Sequence, residues 1–361
     1  MDIKTIANGA SHLFAKRYLG PFWLRRNWLK KTQWLPEEGL KKIQLKLFKR
    51  LVRHSYKTVP YYKNLMDKHS VAVDSIHSLD DIKRFPVLTK SQVLEAGKLI
   101  ISKKYPSWLM TTGLTGGTTG TPLKLSRNLF AVENEHAFVR RQWDWAGISF
   151  RDATAYLSGR VVNDKQLHAY DPFMKELILS TYHLSFSTAE QYLKYIDKYK
   201  VKAIIGYPSA IQFLAQAALD FNFKLKLKAV LTTSETVNDQ MISTISKAFN
   251  CKVYDFYGSA ERVCYIFTCE KGNYHIQPEY GLTELVPFDK TKNKYKIIST
   301  GFWNFAMPLI RYDTGDILIK SDDSCTCGRN FEVVESIAGR TGDIIRAPSG
   351  KVYGPTLVAR I

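Results

Sequence analysis

Apolar positions recur at three- and four-residue steps between residues 37 and 68. Leu40, Ile43, Leu47, Leu51 and His54 share one face, which predicts an amphipathic helix that Pro60 stops or bends. Residues 76–104 predict a short linker and then a helix, with Thr89-Lys90-Ser91-Gln92 as its polar start. Further helices are predicted at 131–146, carrying Trp143 and Trp145, at 187–199, at 211–219, and after residue 233 through Ile245. Between them lie short, largely apolar runs at 153–157, 203–207, 229–233 and 253–257. These predict buried strands, the second ending in a turn at Pro208 and the fourth at Gly258. Strands and helices thus alternate from about 150 to 257, the pattern of a mainly parallel α/β sheet with right-handed crossovers. Ligands of such sheets bind beyond the carboxyl ends of the strands. Tyr207-Pro208-Ser209, Ser234-Glu235 and Tyr257 to Glu261 all follow predicted strand ends. From 275 to 335 the pattern changes to short strands and turns, which predicts a smaller β-rich part.

One segment fits neither period. Thr115-Gly116-Gly117-Thr118-Thr119-Gly120-Thr121-Pro122 holds three glycines, four threonines and a proline in eight positions. It cannot form a good helix or a well-packed strand. Glycines leave backbone N–H groups uncovered and threonines add hydroxyl donors, a composition that suits a loop around phosphate oxygens. The residues on either side, ending in Leu123-Lys124-Leu125, predict flanking strands. The spacing departs from Gly-x4-Gly-Lys-Ser/Thr, so this is not a Walker loop.

Composition narrows the class. At 361 residues with 45% hydrophobic residues, the chain can bury one large core or two ordinary ones. No run of eighteen apolar residues occurs and no signal peptide is evident, so the expected location is cytoplasmic. The net charge is +19, and residues 1–70 hold sixteen Lys/Arg against four Asp/Glu, a surplus of twelve. Phe14, Tyr18, Phe22, Trp23, Trp28 and Trp34 interleave with that charge. The mixture suits an anionic membrane surface reached through residues 1–35, or a helical cap with buried aromatics and solvated lysines. Nucleic acid is disfavoured, since no recognised nucleic-acid fold signature accompanies the charge. The five cysteines are Cys251, Cys264, Cys269, Cys325 and Cys327. A cytoplasmic chain keeps them reduced. Cys325 and Cys327 form one tight pair, and Cys269 with His275 another, the composition of a structural zinc site. Cys264 is an alternative to Cys269, and plain buried thiols are the competing reading.

Three more motifs follow the Gly/Thr loop in order: Tyr257-Gly258-Ser259-Ala260-Glu261, Arg311-Tyr312-Asp313-Thr314-Gly315-Asp316, and Gly339-Arg340-Thr341-Gly342-Asp343. With Val59-Pro60-Tyr61-Tyr62 and Cys325-Thr326-Cys327-Gly328-Arg329, this ordered set resembles the adenylate-forming acyl-CoA synthetase superfamily. Within it, the likeness is to the phenylacetate–CoA ligase group and its CapK-like capsular-polysaccharide branch, over roughly residues 40 to 361. The resemblance implies the large α/β domain of such an enzyme. It implies ATP-dependent formation of an acyl-adenylate and transfer of the acyl group to CoA or another acceptor, in capsule, O-antigen or exopolysaccharide biosynthesis. It also implies roles. Thr115, Gly116, Gly117, Thr118, Thr119 and Gly120 would cradle phosphates, with Thr118 at the reacting end. Glu261 would bind Mg²⁺, Ser234, Glu235, Tyr257 and Gly258 would flank the adenine, Asp316 would accept both ribose hydroxyls, and Arg340 would lie near ribose and phosphate. The branch further shows a similar Cys/His arrangement suggestive of zinc.

The expected organisation is a helical region over 1–110, the α/β core over 111–337 with its β-rich part from about 275, and a hinge over 338–361. The family continues with a mobile domain carrying a catalytic lysine, and this sequence stops eighteen residues beyond Asp343. A truncated C-terminal domain is therefore expected, and with it an alternative reading: a catalytically impaired accessory protein docking on an anionic membrane or assembly complex. A small carboxylic acid is the expected substrate, and a homodimer is allowed. Arg311 and Asp313 either act directly or pair with each other, and Lys124 reads as a solvated strand lysine.

Overall fold

The computed structural model describes residues 20–115, 122–159, 166–289, 292–340, 345–346 and 352–353. Helices α1 (Phe22–Thr32), α2 (Glu37–Thr58) and α3 (Pro60–Lys68) open the chain. Pro60 divides the predicted 37–68 helix by taking the first position of α3, where its missing N–H costs nothing. The 76–104 expectation shrinks to α4 (Lys90–Ala96) among short 3-10 turns. Thr89 caps α4, accepting from the Gln92 amide at 3.3 Å while the Gln92 side chain accepts from the Thr89 amide at 2.8 Å. Strands β1 (Met110–Leu114) and β2 (Lys124–Asn128) form an antiparallel hairpin. Its last link, Thr115 N to Leu123 O at 3.1 Å, closes the base of the Gly/Thr loop. Gly116 to Thr121 lie outside the described residues. Helix α5 (Leu129–Trp145) follows.

The chain then builds β3 (Ala153–Ser158), β4 (His168–Asp171), β5 (Glu176–Ser180), α6 (Phe186–Lys198), β6 (Val201–Gly206), α7 (Pro208–Asp220), β7 (Ala229–Thr233), α8 (Asp239–Phe249) and β8 (Lys252–Gly258). Two compact units emerge, one around residues 139–256 with 267–272, and the other around 20–138 with 257–266 and the residues from 273 on. In the first, β5, β3, β6, β7 and β8 run parallel, and β4 pairs antiparallel at the edge. Alternate residues of its strands feed two apolar layers. Ile204 and Val230 pack with Tyr192, Leu214 and Phe249 of the helices. Ile205 and Leu231 pack with Trp143 and Ile148. A parallel sheet covered on both faces is what continuous apolar runs encode. Gly206 is required where β6 passes β3, because a Cβ there would collide with the Leu157 carbonyl. Pro208 does not form a turn as expected. It starts α7 at the first helical position.

The chain continues with β9 (Tyr265–Thr268), and the second unit then holds β10 (Tyr274–Ile276), β11 (Gly281–Asp289), β12 (Lys294–Gly301), β13 (Tyr312–Lys320) and β14 (Val333–Arg340). Here β11, β12, β13, β14 and β10 are neighbours, all antiparallel. The fold is thus mixed α/β, with its parallel part and its β-rich part where the periodicities put them. The buried Tyr62 ties α3 to this unit, donating to the Pro308 carbonyl at 3.1 Å and accepting from the Ile310 amide at 2.9 Å. Among the described residues no helix is long and apolar enough to cross a membrane.

Candidate active site and a cysteine–histidine cluster

Strand β13 delivers the central carboxylate. Its entry is fixed by Arg311, whose guanidinium forks onto both Glu284 oxygens at 2.9 Å and donates to the Phe85 carbonyl at 2.6 Å. Arg311 therefore anchors the strand, and its partner is Glu284 where the sequence suggested Asp313. Asp313 accepts from the Gly315 amide at 2.9 Å, and Thr314 accepts from the Asp316 amide at 3.1 Å. Gly315 takes φ +72°, which glycine adopts without strain. This tight link aims Asp316 inward, 6% exposed.

Both Asp316 oxygens have partners. Tyr257, at the end of β8, donates its hydroxyl to Oδ2 at 2.6 Å. Arg340, directly across on β14, donates Nε to Oδ1 at 3.2 Å. Burial raises the Asp316 carboxyl above the ordinary carboxylate range, against the lowering effects of the Tyr257 and Arg340 bonds. Burial, and then the Asp316 charge, hold the Tyr257 phenol protonated far above its usual value. Each carboxylate oxygen can accept more than one hydrogen bond, so these two bonds do not exhaust the acceptor capacity of Asp316.

Glu261 lies four residues beyond Tyr257. The buried Tyr312 donates to its Oε1 at 3.0 Å, and burial keeps that phenol protonated. One side of β13 thus carries Tyr312 on Glu261 and Asp316 between Tyr257 and Arg340. A fixed carboxylate with a free lone pair is a hard oxygen ligand suited to Mg²⁺. Ser234 and Glu235 follow β7 in the other unit. Ser234 takes φ +71°, and Glu235 accepts from the Ser209 amide at 3.1 Å. Thr115 closes the β1–β2 hairpin. Gly116, Gly117, Thr118, Thr119 and Gly120 lie outside the described residues, as does Asp343. Sequence reasoning brought Tyr257, Glu261, Asp316 and Arg340 to this place and missed Tyr312, a motif residue whose partner stands 51 positions away.

The ligand atoms of Cys269, His275, Cys325 and Cys327 lie within 4.8 Å of one another. His275 is fully buried. Its Nδ1 faces the Phe331 carbonyl at 3.4 Å, which can only accept, so Nε2 is left facing Cys327 Sγ at 3.4 Å. That tautomer is the one a metal-ligating imidazole needs. Three sulfurs and one nitrogen at this spacing fit tetrahedral zinc, whose ~2.3 Å bonds put sulfurs about 3.8 Å apart. Cys264 takes no part. It is buried and accepts from Thr283 Oγ1 at 3.4 Å, and burial pushes its thiol up to about 12.

The chain has homologues in CapK and phenylacetate–coenzyme A ligase, and its fold is that of a solved acyl-CoA ligase. Among curated relatives it is 25% identical over 313 residues to protein CapK of Staphylococcus aureus, covering 84% of this chain and 69% of CapK. It is 25% identical over 341 residues to phenylacetate–coenzyme A ligase of Thermus thermophilus, covering 91% and 76%. A solved 2-hydroxyisobutyryl-CoA ligase, in the postadenylation state with R3-HIB-AMP, superposes with TM-score 0.71 at 18% identity, covering 95% of this chain and 76% of that one. No family model matches the chain.

Proposed function

We propose that this protein activates a small carboxylic acid with ATP as an acyl-adenylate and passes the acyl group to CoA. The observation that carries the reading is the Tyr257–Asp316–Arg340 group, whose Asp316 shares β13 with Tyr312, which holds Glu261. Asp316 accepts the two ribose hydroxyls, a bidentate contact that fixes the nucleotide. Tyr257 keeps the carboxylate ordered beside the adenine, with Gly258 on the base side. Arg340, held on Asp316, serves the ribose and the phosphate. Glu261 contributes an oxygen to Mg²⁺, which when bound neutralises the polyphosphate. The loop from Thr115 to Gly120, with Thr118 at the reacting end, holds phosphate oxygens through N–H groups. Cys269, His275, Cys325 and Cys327 hold a structural zinc ion. Calorimetric titration with Mg-ATP tests the site. Glu261→Ala and Asp316→Ala should each weaken binding at least tenfold, since a hydrogen bond to a charged group contributes about 1.5–3 kcal/mol. Unchanged affinity in both sinks the assignment.

Likeness to CapK supports a place in surface-polysaccharide assembly. Deleting the gene and measuring capsule or O-antigen tests it, and an unaltered surface polymer argues against it. A peripheral membrane contact is supported by α1, where Trp23 is 43% and Leu24 75% exposed and Lys30 and Lys31 occupy the last turn, and by Trp34 at 53%. Residues 1–19 lie outside the described residues. Co-sedimentation with anionic vesicles that salt abolishes is the expected result.

A further inference from the structure

The nucleotide reading leaves two arginines unused. Arg127 is on β2, just after the Gly/Thr loop, and Arg262 directly follows Glu261. Arg127 donates Nη2 to the Ala260 carbonyl, the residue before Glu261. Its guanidinium lies over Gly113 of β1, where an added Cβ would come within 2.6 Å of Cζ. The hairpin that carries the loop is therefore cleared at Gly113 to admit this side chain. Arg262 adopts φ +57°, donates to the Ala131 carbonyl at 3.2 Å, and reaches Glu135 Oε2 only at 3.8 Å. Glu135 is already engaged, because the buried Tyr280 donates to the same oxygen.

Once Glu261 faces a metal and Tyr312, two guanidinium groups share one carboxylate among the described residues. Burial first, and then the like charge of Arg262, holds the Arg127 guanidinium below its ordinary value. Both side chains are partly buried, and backbone carbonyls fix both. Half-buried cations in surplus are stabilised by an anion, and a pair of planar forks suits an oxyanion.

We propose that Arg127 and Arg262 form an oxyanion receptor beside Glu261. It rests on the nucleotide reading only for what Glu261 faces. The oxyanion is either the β,γ-phosphate end of ATP or a second acid group on the carboxylic substrate. The full chain, and its Arg127→Gln and Arg262→Gln variants, are titrated with Mg-pyrophosphate, succinate, butyrate and AMP. The receptor predicts that either variant loses about tenfold or more for one dianion and nothing for butyrate or AMP. Loss for pyrophosphate alone assigns the receptor to the phosphates, and loss for succinate alone assigns it to a second acid group. Unchanged affinity for both dianions in both variants overturns the proposal. A wild-type chain that ignores AMP overturns the nucleotide reading instead, while the pyrophosphate and succinate comparisons still decide the receptor. If a Gln variant does not fold, Arg262→Lys enters the same titrations. It keeps the charge without the fork, so it should still lose affinity for the bound dianion, and wild-type affinity for both would overturn the proposal.

Discussion

Replacing Tyr257 by Phe deletes one oxygen and keeps the ring, so the main loss is the bond to Asp316. That bond is 2.6 Å long and ends on a carboxylate only 6% exposed. A hydrogen bond to a charged group contributes about 1.5–3 kcal/mol, and one between neutral groups about 0.5–1.5 kcal/mol. The penalty should thus be about 1.5–3 kcal/mol where Asp316 is ionised and about 1 kcal/mol where it is protonated. Burial raises the folded-state value of Asp316 above the ordinary carboxylate range. The folded chain therefore binds that proton more tightly than the unfolded one. Its contribution to stability is full below the unfolded value and is lost as pH rises through the folded value. The Tyr257 bond favours the ionised form, so its removal raises the folded value further. Urea unfolding of both proteins at acidic pH and at pH 7 measures this directly. The variant should fall further behind at pH 7. Mg-ATP affinity should decline on acidification in the wild type, and from a higher pH in the variant. An equal stability penalty at both pH values, with superimposable binding profiles, would refute the coupling.

Tyr312→Phe should weaken Mg-ATP binding less than Glu261→Ala and raise the Mg²⁺ concentration needed for half-maximal binding, because Glu261 keeps its charge and loses its orientation. An unchanged Mg²⁺ dependence would leave Tyr312 a packing residue. Metal analysis should find one zinc per chain, lost in Cys327→Ala and in His275→Ala, and retained in Cys264→Ala. Loss of metal from the Cys264 variant would reverse the choice of ligands. Gly206→Ala should destabilise the chain by about 3 kcal/mol, the upper end for overpacking, because two strand backbones must part to admit one methyl. Unfolding at the wild-type urea midpoint would show that the strands can separate freely.

Four of the parallel strands, β3, β6, β7 and β8, were legible because each is a short, largely apolar run. The edge pair was not. His168 and Tyr170 of β4 lie at the sheet margin, partly exposed, and present no apolar run. Pro208 was legible as punctuation and misread in sign, since one missing N–H suits a turn and a first helical position equally. In the site, the motifs disclosed which residues carry the chemistry and were silent on what holds them. Arg311 has Asp313 as its near neighbour in sequence, yet its fork closes on Glu284 across 27 positions. Cys264 and Cys269 flank β9 and read alike. Only Cys269 joins His275, while Cys264 is occupied by Thr283.

The same division governs reactivity. Asp316 is recognisable from Thr314-Gly315-Asp316, but its protonation is set by burial, by Tyr257 59 positions away and by Arg340 24 positions away. Glu261 is recognisable from its motif, but its direction is set by Tyr312. Motif residues that contact ligand share a local pattern, because the backbone must bring them to one place. The groups that tune them arrive from separate strands, and each needs only to be the right size and charge at one point in space. Arg127 shows this most sharply. Nothing around it on β2 marks it. It matters because Gly113 opens a space in the opposite strand and Ala260 offers a carbonyl from 133 positions away. If the receptor reading is right, restoring bulk at that space should mimic loss of the arginine. Gly113→Val should displace the guanidinium and weaken the same dianion as Arg127→Gln, with AMP affinity kept. A Gly113→Val chain that binds pyrophosphate and succinate as the wild type does would show that the cleared space has no bearing on the anion.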